Sequence, residues 1–110
     1  MLFNFFMIKE YLRNFTHEDR VRCRISSNKG RIEGFLVQYE ILYEDEWRVV
    51  VRFDTYHGTM HRDLISWDAT IHKEWFPQMK FDEGLNFSYI DIVNNWEKYR
   101  IWYCSKLDLI

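Results

Sequence analysis

Between Arg52 and Asp63 the chain reads RFDTYHGTMHRD: two arginines, two histidines and two aspartates within twelve residues. That set can support three kinds of chemistry. One of His57 and His61 can take the proton of a ribose 2′-hydroxyl while the other protonates the leaving oxygen. Arg52 or Arg62 can then stabilise the pentavalent phosphorane. Alternatively His57, His61 and a carboxylate can ligate a divalent metal. The third reading is a structural turn, in which Asp54 caps backbone N–H groups, His61 bonds a carbonyl and Arg62 pairs with Asp63 or Asp54. The His-x-x-x-His spacing does not fall on a helix and so lacks the specificity of the helical zinc motif. No metal and no cofactor is assigned. His57, His61, Arg52 and Asp54 are the catalytic candidates, with Arg62, Asp63, Arg48, Arg22 and Arg24 as ligand contacts.

The elements that must position these residues follow from periodicity. Val21, Cys23 and Ile25 alternate with Arg20, Arg22 and Arg24, which reads as a strand. A second strand runs from Arg31 to Tyr43 with Phe35, Val37, Tyr39 and Ile41 on one face and Gly34 as a candidate bulge. In a third, Trp47, Val49, Val51 and Phe53 point inward and Arg48, Val50, Arg52 and Asp54 outward. Met60 to Ser66 forms a fourth strand, and Ile71 to Phe76 a fifth strand or a lid-like extension ended by Pro77. Leu85, Tyr89, Ile92, Trp96, Tyr99 and Tyr103 recur at steps of four and three, the stripe of an amphipathic helix of about 20 residues. Ser88 and Asp91 resemble its capping box, although a start near Asp82 also fits. Phe5, Ile8, Tyr11 and Leu12 suggest a short N-terminal helix over Leu2 to Asn14, with an edge strand over the first six residues as the alternative. The expectation is a single α+β domain over residues 1–110, with an antiparallel sheet of four to five strands, one long C-terminal helix packed on one face and a short N-terminal helix.

If the helix covers the face of Val21, Cys23, Phe35, Val37, Val49 and Val51, the opposite face carries Arg20, Arg22, Arg24, Gln38, Glu40, Arg48, Arg52 and Asp54. Arginines in this array can hold a phosphate backbone. They can equally be solvated side chains cross-paired with Glu40 and Asp54.

A net charge of −2 excludes a strongly basic nucleic-acid coat and a polybasic membrane anchor, though not a local basic face. The 47% apolar fraction, with nine Phe, seven Tyr and five Trp, exceeds what a small core comfortably buries, which points to a homodimer. The N-terminal apolar run has no basic residues before it, is interrupted by Asn4 and lacks a small-residue cleavage site. It reads as cytoplasmic, with no membrane span. Cys23 and Cys104 are accordingly expected as reduced thiols. There is no phosphate loop, no GxSxG elbow and no CxxC pair, which argues against nucleotide hydrolases, serine hydrolases and zinc ribbons.

The segment from Phe35 to Asp63 resembles a family of small prokaryotic proteins that share an R-[FY]-D-T-x-H-G turn and an H-R-D continuation. The terminal IVNNWEKYR resembles that family's closing helix. More remotely, Arg52, Phe53, Asp54, His57 and His61 are similar to positions in the TumE-like toxins of toxin–antitoxin pairs, although the doubled histidines of that pattern are missing. The resemblance implies a toxin–antitoxin-type component acting on or binding RNA or phosphate ligands, with a cognate toxin or antitoxin as partner. The competing expectation is a non-enzymatic homodimeric interaction module.

Overall fold

The computed structural model describes residues 6–107. Six strands, β1 (Phe6–Thr16), β2 (Asp19–Asn28), β3 (Arg31–Tyr43), β4 (Glu46–Asp54), β5 (Met60–Ile65) and β6 (Ile71–Phe76), pair in sequence order as one antiparallel meander. The helix α1 (Phe81–Leu107) follows and lies across β3 and β4. The α+β class and the long C-terminal helix are as expected. The sheet, however, has six strands where four to five were anticipated, because Ile71–Phe76 is a paired strand and the N-terminal segment supplies another.

That segment is not a helix. From Phe6 it is β1, laddered to β2 from Phe6 opposite Asn28 to Thr16 opposite Asp19. Its helical spacing carried no information, because every residue of β1 except Phe15 is exposed and neither face had to match a core. Phe5, the first member of that spacing, lies outside the described residues.

Two of the connections are two-residue turns whose central residues have positive φ: Lys29–Gly30 (52° and 77°) and Glu44–Asp45 (52° and 62°). This geometry matches the right-handed twist of the flanking strands. At Glu44–Asp45 it is reached without glycine.

The core lies between the helix and one face of the sheet. Val21, Cys23, Phe35, Val37, Tyr39, Ile41, Val51 and Phe53 meet Ile92 and Tyr103 there, all at most 5% exposed. Burying a side chain of this size contributes about 1.5–3 kcal/mol. The helix begins at Phe81, with Asp82 and Glu83 in its first turn where the dipole favours acids. Ser88 is therefore not a cap: it is fully buried, and its hydroxyl donates back to the Leu85 carbonyl at 3.0 Å. Gly84 lets the helix approach closely, since a Cβ there would lie 2.7 Å from Met60 Sδ and 3.2 Å from Phe35 Cζ.

A bulge in β4 decides what reaches each face. Tyr39 pairs with Val51 but Glu40 pairs with Val49, so Val50 is the extra residue. Before it the alternation inverts. Arg48, opposite Ile41, lies on the helix side, its guanidinium 5.4 Å from the Tyr43 ring. Val49 and Trp47 lie on the open side instead, which reverses the expectation that Val49 is in the core and Arg48 opposite it.

Candidate functional site

The face that α1 leaves open is crossed by two rows of side chains, one from each strand. The first runs Leu12, Arg22, Gln38, Arg52, Asp63, Lys73; the second runs Glu10, Arg24, Leu36, Asp54, His61, Trp75. Strict alternation from β1 to β6 produces both rows, since side chains opposite one another in an antiparallel ladder share a face.

A polar chain crosses the first row. Arg20 Nε donates to Glu40 Oε1 at 2.6 Å, and its guanidinium lies 3.8 Å from the Trp47 ring centre. Glu40 Oε2 accepts from Gln38 Nε2, and Gln38 Oε1 accepts from Arg52 Nε at 2.9 Å. Glu40 and Gln38 are buried at the floor, 3% and 5% exposed. Further along, Asp63 has Lys73 Nζ 3.7 Å from Oδ1 and His61 Nε2 3.7 Å from Oδ2. Both separations exceed a hydrogen bond, so Asp63 Oδ1 has no hydrogen-bond partner, and the other ring nitrogen of His61, Nδ1, has none either, although both atoms are buried. Trp75 packs over His61, ring centres 5.1 Å apart, and itself remains half exposed.

The layering is electrostatic as well as steric. The carboxylates of Glu40 and Asp63 lie at the floor, while Arg22, Arg24 and Lys73 reach solvent. Arg24 faces Glu10 at 3.6 Å, both about half exposed, a pair of small energetic weight. Among the described residues Arg22 forms no ion pair. Of the solvent-reaching charges in these two rows, Arg22, Arg24 and Lys73 are positive and Glu10 is negative, a positive balance although the whole chain carries −2.

The residues picked from the sequence divide. Arg52, Asp54, His61 and Asp63 share the open face with Arg22 and Arg24. Arg62 does not. It faces the helix, where Nη2 meets Glu74 at 2.9 Å and Nη1 donates to the Tyr99 hydroxyl at 3.3 Å. Arg48 is on that side too. His57 sits in the exposed turn after β4, its ring edge-on to Tyr56 at 4.5 Å. Gly58, at φ 82°, completes the turn, and Asp54 Oδ1 accepts the Tyr56 N–H at 2.6 Å. His57 is thus solvent-facing while His61 is 3% exposed under Trp75. The two imidazoles differ in setting, His57 open to solvent beside Tyr56 and His61 covered by Trp75. Among the described residues no cluster of three or more His, Cys, Asp or Glu has metal-holding geometry.

Trp47, Lys73 and Trp75 also line this face and were not singled out from the sequence. The alternation Lys73, Trp75 against His72, Glu74 was the available signal for two of them. Trp47 was hidden by the Val50 bulge.

A family model matches residues 7–108, spanning β1 to the end of α1. The chain belongs to this family. It is the domain of unknown function DUF7718, and the match takes in both rows of the open face. No curated protein and no solved structure matches the chain. In this DUF7718 chain no described helix is long and apolar enough to cross a membrane.

Two groups fix the helix over the sheet. Asp19 accepts from Thr16, from the Tyr39 hydroxyl and from Arg100 Nη1 at 2.8 Å. Burial alone would raise its pKa, but these hydrogen bonds and the Arg100 charge hold the carboxyl below its ordinary value. Burial and the Asp19 hydrogen bond push the Tyr39 hydroxyl up. On the other flank burial, with a hydrogen bond to Asp91, pushes the Tyr99 hydroxyl up.

Proposed function

We propose that the open sheet face binds single-stranded RNA without cleaving it. Arg22, Arg24, Arg52 and Lys73 contact phosphates, and Trp75 offers a stacking surface for a base. The observation that carries this reading is the layering of solvent-reaching cations over buried carboxylates, on the one sheet face that no helix covers. An open antiparallel sheet with cations and an exposed aromatic is a recurrent way to hold single strands, because every base has a π-face and every nucleotide a charge. The covering of His61 by Trp75, against the exposure of His57, favours binding over strand scission. The toxin–antitoxin setting rests on the motif resemblance around Arg52 to Asp63, and the binding role suits either member of such a pair.

The test is fluorescence anisotropy with a labelled single-stranded RNA at low salt, together with a gel of the same RNA after incubation. Wild type should bind and leave the RNA intact. The Arg22→Ala/Arg52→Ala double variant should bind at least about tenfold more weakly, as loss of two charge-assisted phosphate contacts implies. His57→Ala should bind as wild type. Absence of wild-type binding, or a double variant that binds equally well, would sink the proposal, and RNA degradation abolished by His57→Ala would restore a catalytic reading.

A further inference from the structure

We infer that the chain pairs with a second copy of itself through β1, antiparallel and centred on Leu12, joining two six-stranded sheets into one. This stands independently of the RNA reading.

The two edges of the sheet are unlike. β6 is six residues long and carries His72, Lys73 and Glu74 in its middle, the short, charged form in which proteins leave an edge open. β1 is eleven residues long, and Phe6, Met7, Ile8, Tyr11 and Leu12 are each 44–53% exposed. They lie on both faces of the strand, so no single covering layer could shelter them. Its far end is tied to the helix, through Phe15 stacked on Trp96 at 5.1 Å and Arg13 donating to the Tyr89 hydroxyl at 3.1 Å. A strand this long that packs almost nothing into its own core presents a row of backbone donors and acceptors along its outer side.

Charge selects the occupant and its register. In antiparallel pairing about a two-fold axis normal to the sheet, opposed residues lie on the same face, so the axis must pass through a residue. Centring on Lys9, Glu10 or Arg13 sets that charge against itself. Centring on Tyr11 sets Lys9 against Arg13. Centring on Ile8 sets Phe6 against Glu10 and Met7 against Lys9, an apolar side chain against a charge each time, and centring on Asn14 runs into the bulge at Phe15. Centring on Leu12 engages Glu10 to Asn14, the regular stretch that ends at a bulge at Phe15, and opposes no like charges. Leu12 meets Leu12, Tyr11 meets Arg13 and Glu10 meets Asn14. Apolar, cation–aromatic and charge–amide cross-strand pairs of this kind stabilise a ladder.

Sedimentation velocity on the full chain at micromolar concentration should give twice the monomer mass, and Leu12→Arg, which puts two guanidinium groups on the axis, should give the monomer with an unchanged circular-dichroism spectrum. A monomeric wild type, or a folded Leu12→Arg that stays dimeric, overturns the inference. If Leu12→Arg does not fold, cysteine cross-linking decides. Leu12→Cys should oxidise to a covalent dimer whereas Ile8→Cys should not, because in this register the two Ile8 positions are offset by about 27 Å along the strands. Equal cross-linking of both, or of neither, overturns the register.

Discussion

Arg100 on the helix and Asp19 at the head of β2, 81 residues apart in the chain, are joined by a 2.8 Å ion pair in which the carboxylate is almost fully buried. With the Tyr39 hydroxyl on the same carboxylate, one acid ties β2, β3 and α1 together.

Asp19→Asn keeps the shape and removes the charge. It should lower stability by about 1–3 kcal/mol at pH 7, the usual loss when a buried charge-assisted hydrogen bond is broken. Because the folded pKa of Asp19 is lowered, its contribution is complete above the ordinary carboxylate value of about 4 and is lost as pH falls through the lower folded value. Urea titrations should therefore show the gap between wild type and variant closing below pH 4. A gap that is constant with pH would mean that the ion pair contributes nothing specific.

At Gly84 two effects oppose each other. Alanine gains about 1 kcal/mol of helix propensity but brings its Cβ to 2.7 Å from Met60 Sδ, an overpacking that costs about 1–3 kcal/mol. Gly84→Ala should therefore be neutral to about 2 kcal/mol less stable, and Gly84→Val worse. A more stable Gly84→Ala would show that Met60 swings aside freely.

His61 is buried with Nδ1 unpartnered. Removing an unsatisfied buried polar group for an apolar one of similar bulk is nearly neutral or stabilising. His61→Leu should change the unfolding free energy by less than about 1 kcal/mol. A loss of several times that would assign His61 a hydrogen bond that its surroundings do not display.

RNA binding through phosphate contacts fixes a salt dependence. For single strands the slope of log K against log salt is about −0.7 per phosphate neutralised. Arg22→Ala should therefore make the slope shallower by about 0.7 if Arg22 holds one phosphate. An unchanged slope would remove Arg22 from the contact surface.

The Cys23 thiol, buried between β2 and the helix, is pushed up to about 11. Its thiolate fraction at pH 8 is on the order of one in a thousand, so a thiol reagent should leave Cys23 unmodified in the folded chain and label it once denaturant is added. Rapid labelling under native conditions would mean that the β1–β2 side of the core opens readily.

Much of the fold was legible because burial imposes periodicity. Val21, Cys23 and Ile25 on β2 and Ile92, Trp96, Tyr99 and Tyr103 on α1 repeat at the spacings that a covered face demands, and the structure uses them so. β1 was illegible for the converse reason: with no residue fully buried, its apolar positions were free of any period. The Val50 bulge inverts half of β4 by one residue that leaves no compositional mark, which moved Arg48 to the helix side and Trp47 to the open side. The candidate site was half legible. Alternation carried Arg22, Arg24, Arg52, Asp54, His61 and Asp63 to one face, but adjacency along the chain drew in Arg62, which the same alternation sends to the other. His57 and His61, four residues apart, are parted by the turn at Gly58, which leaves one in water and the other beneath Trp75.

The order of the elements has a consequence for biosynthesis. Each strand of the meander finds its partner in the segment made just before it, so hairpins can close as they leave the ribosome. The helix that seals Val37, Tyr39, Val51 and Phe53 comes after all six strands. At ordinary elongation rates its 27 residues take on the order of seconds to synthesise. Throughout that interval the nascent sheet offers a bare apolar face to chaperones and to neighbouring nascent chains, and the Gly84 approach and the Asp19–Arg100 pair can form only when it ends.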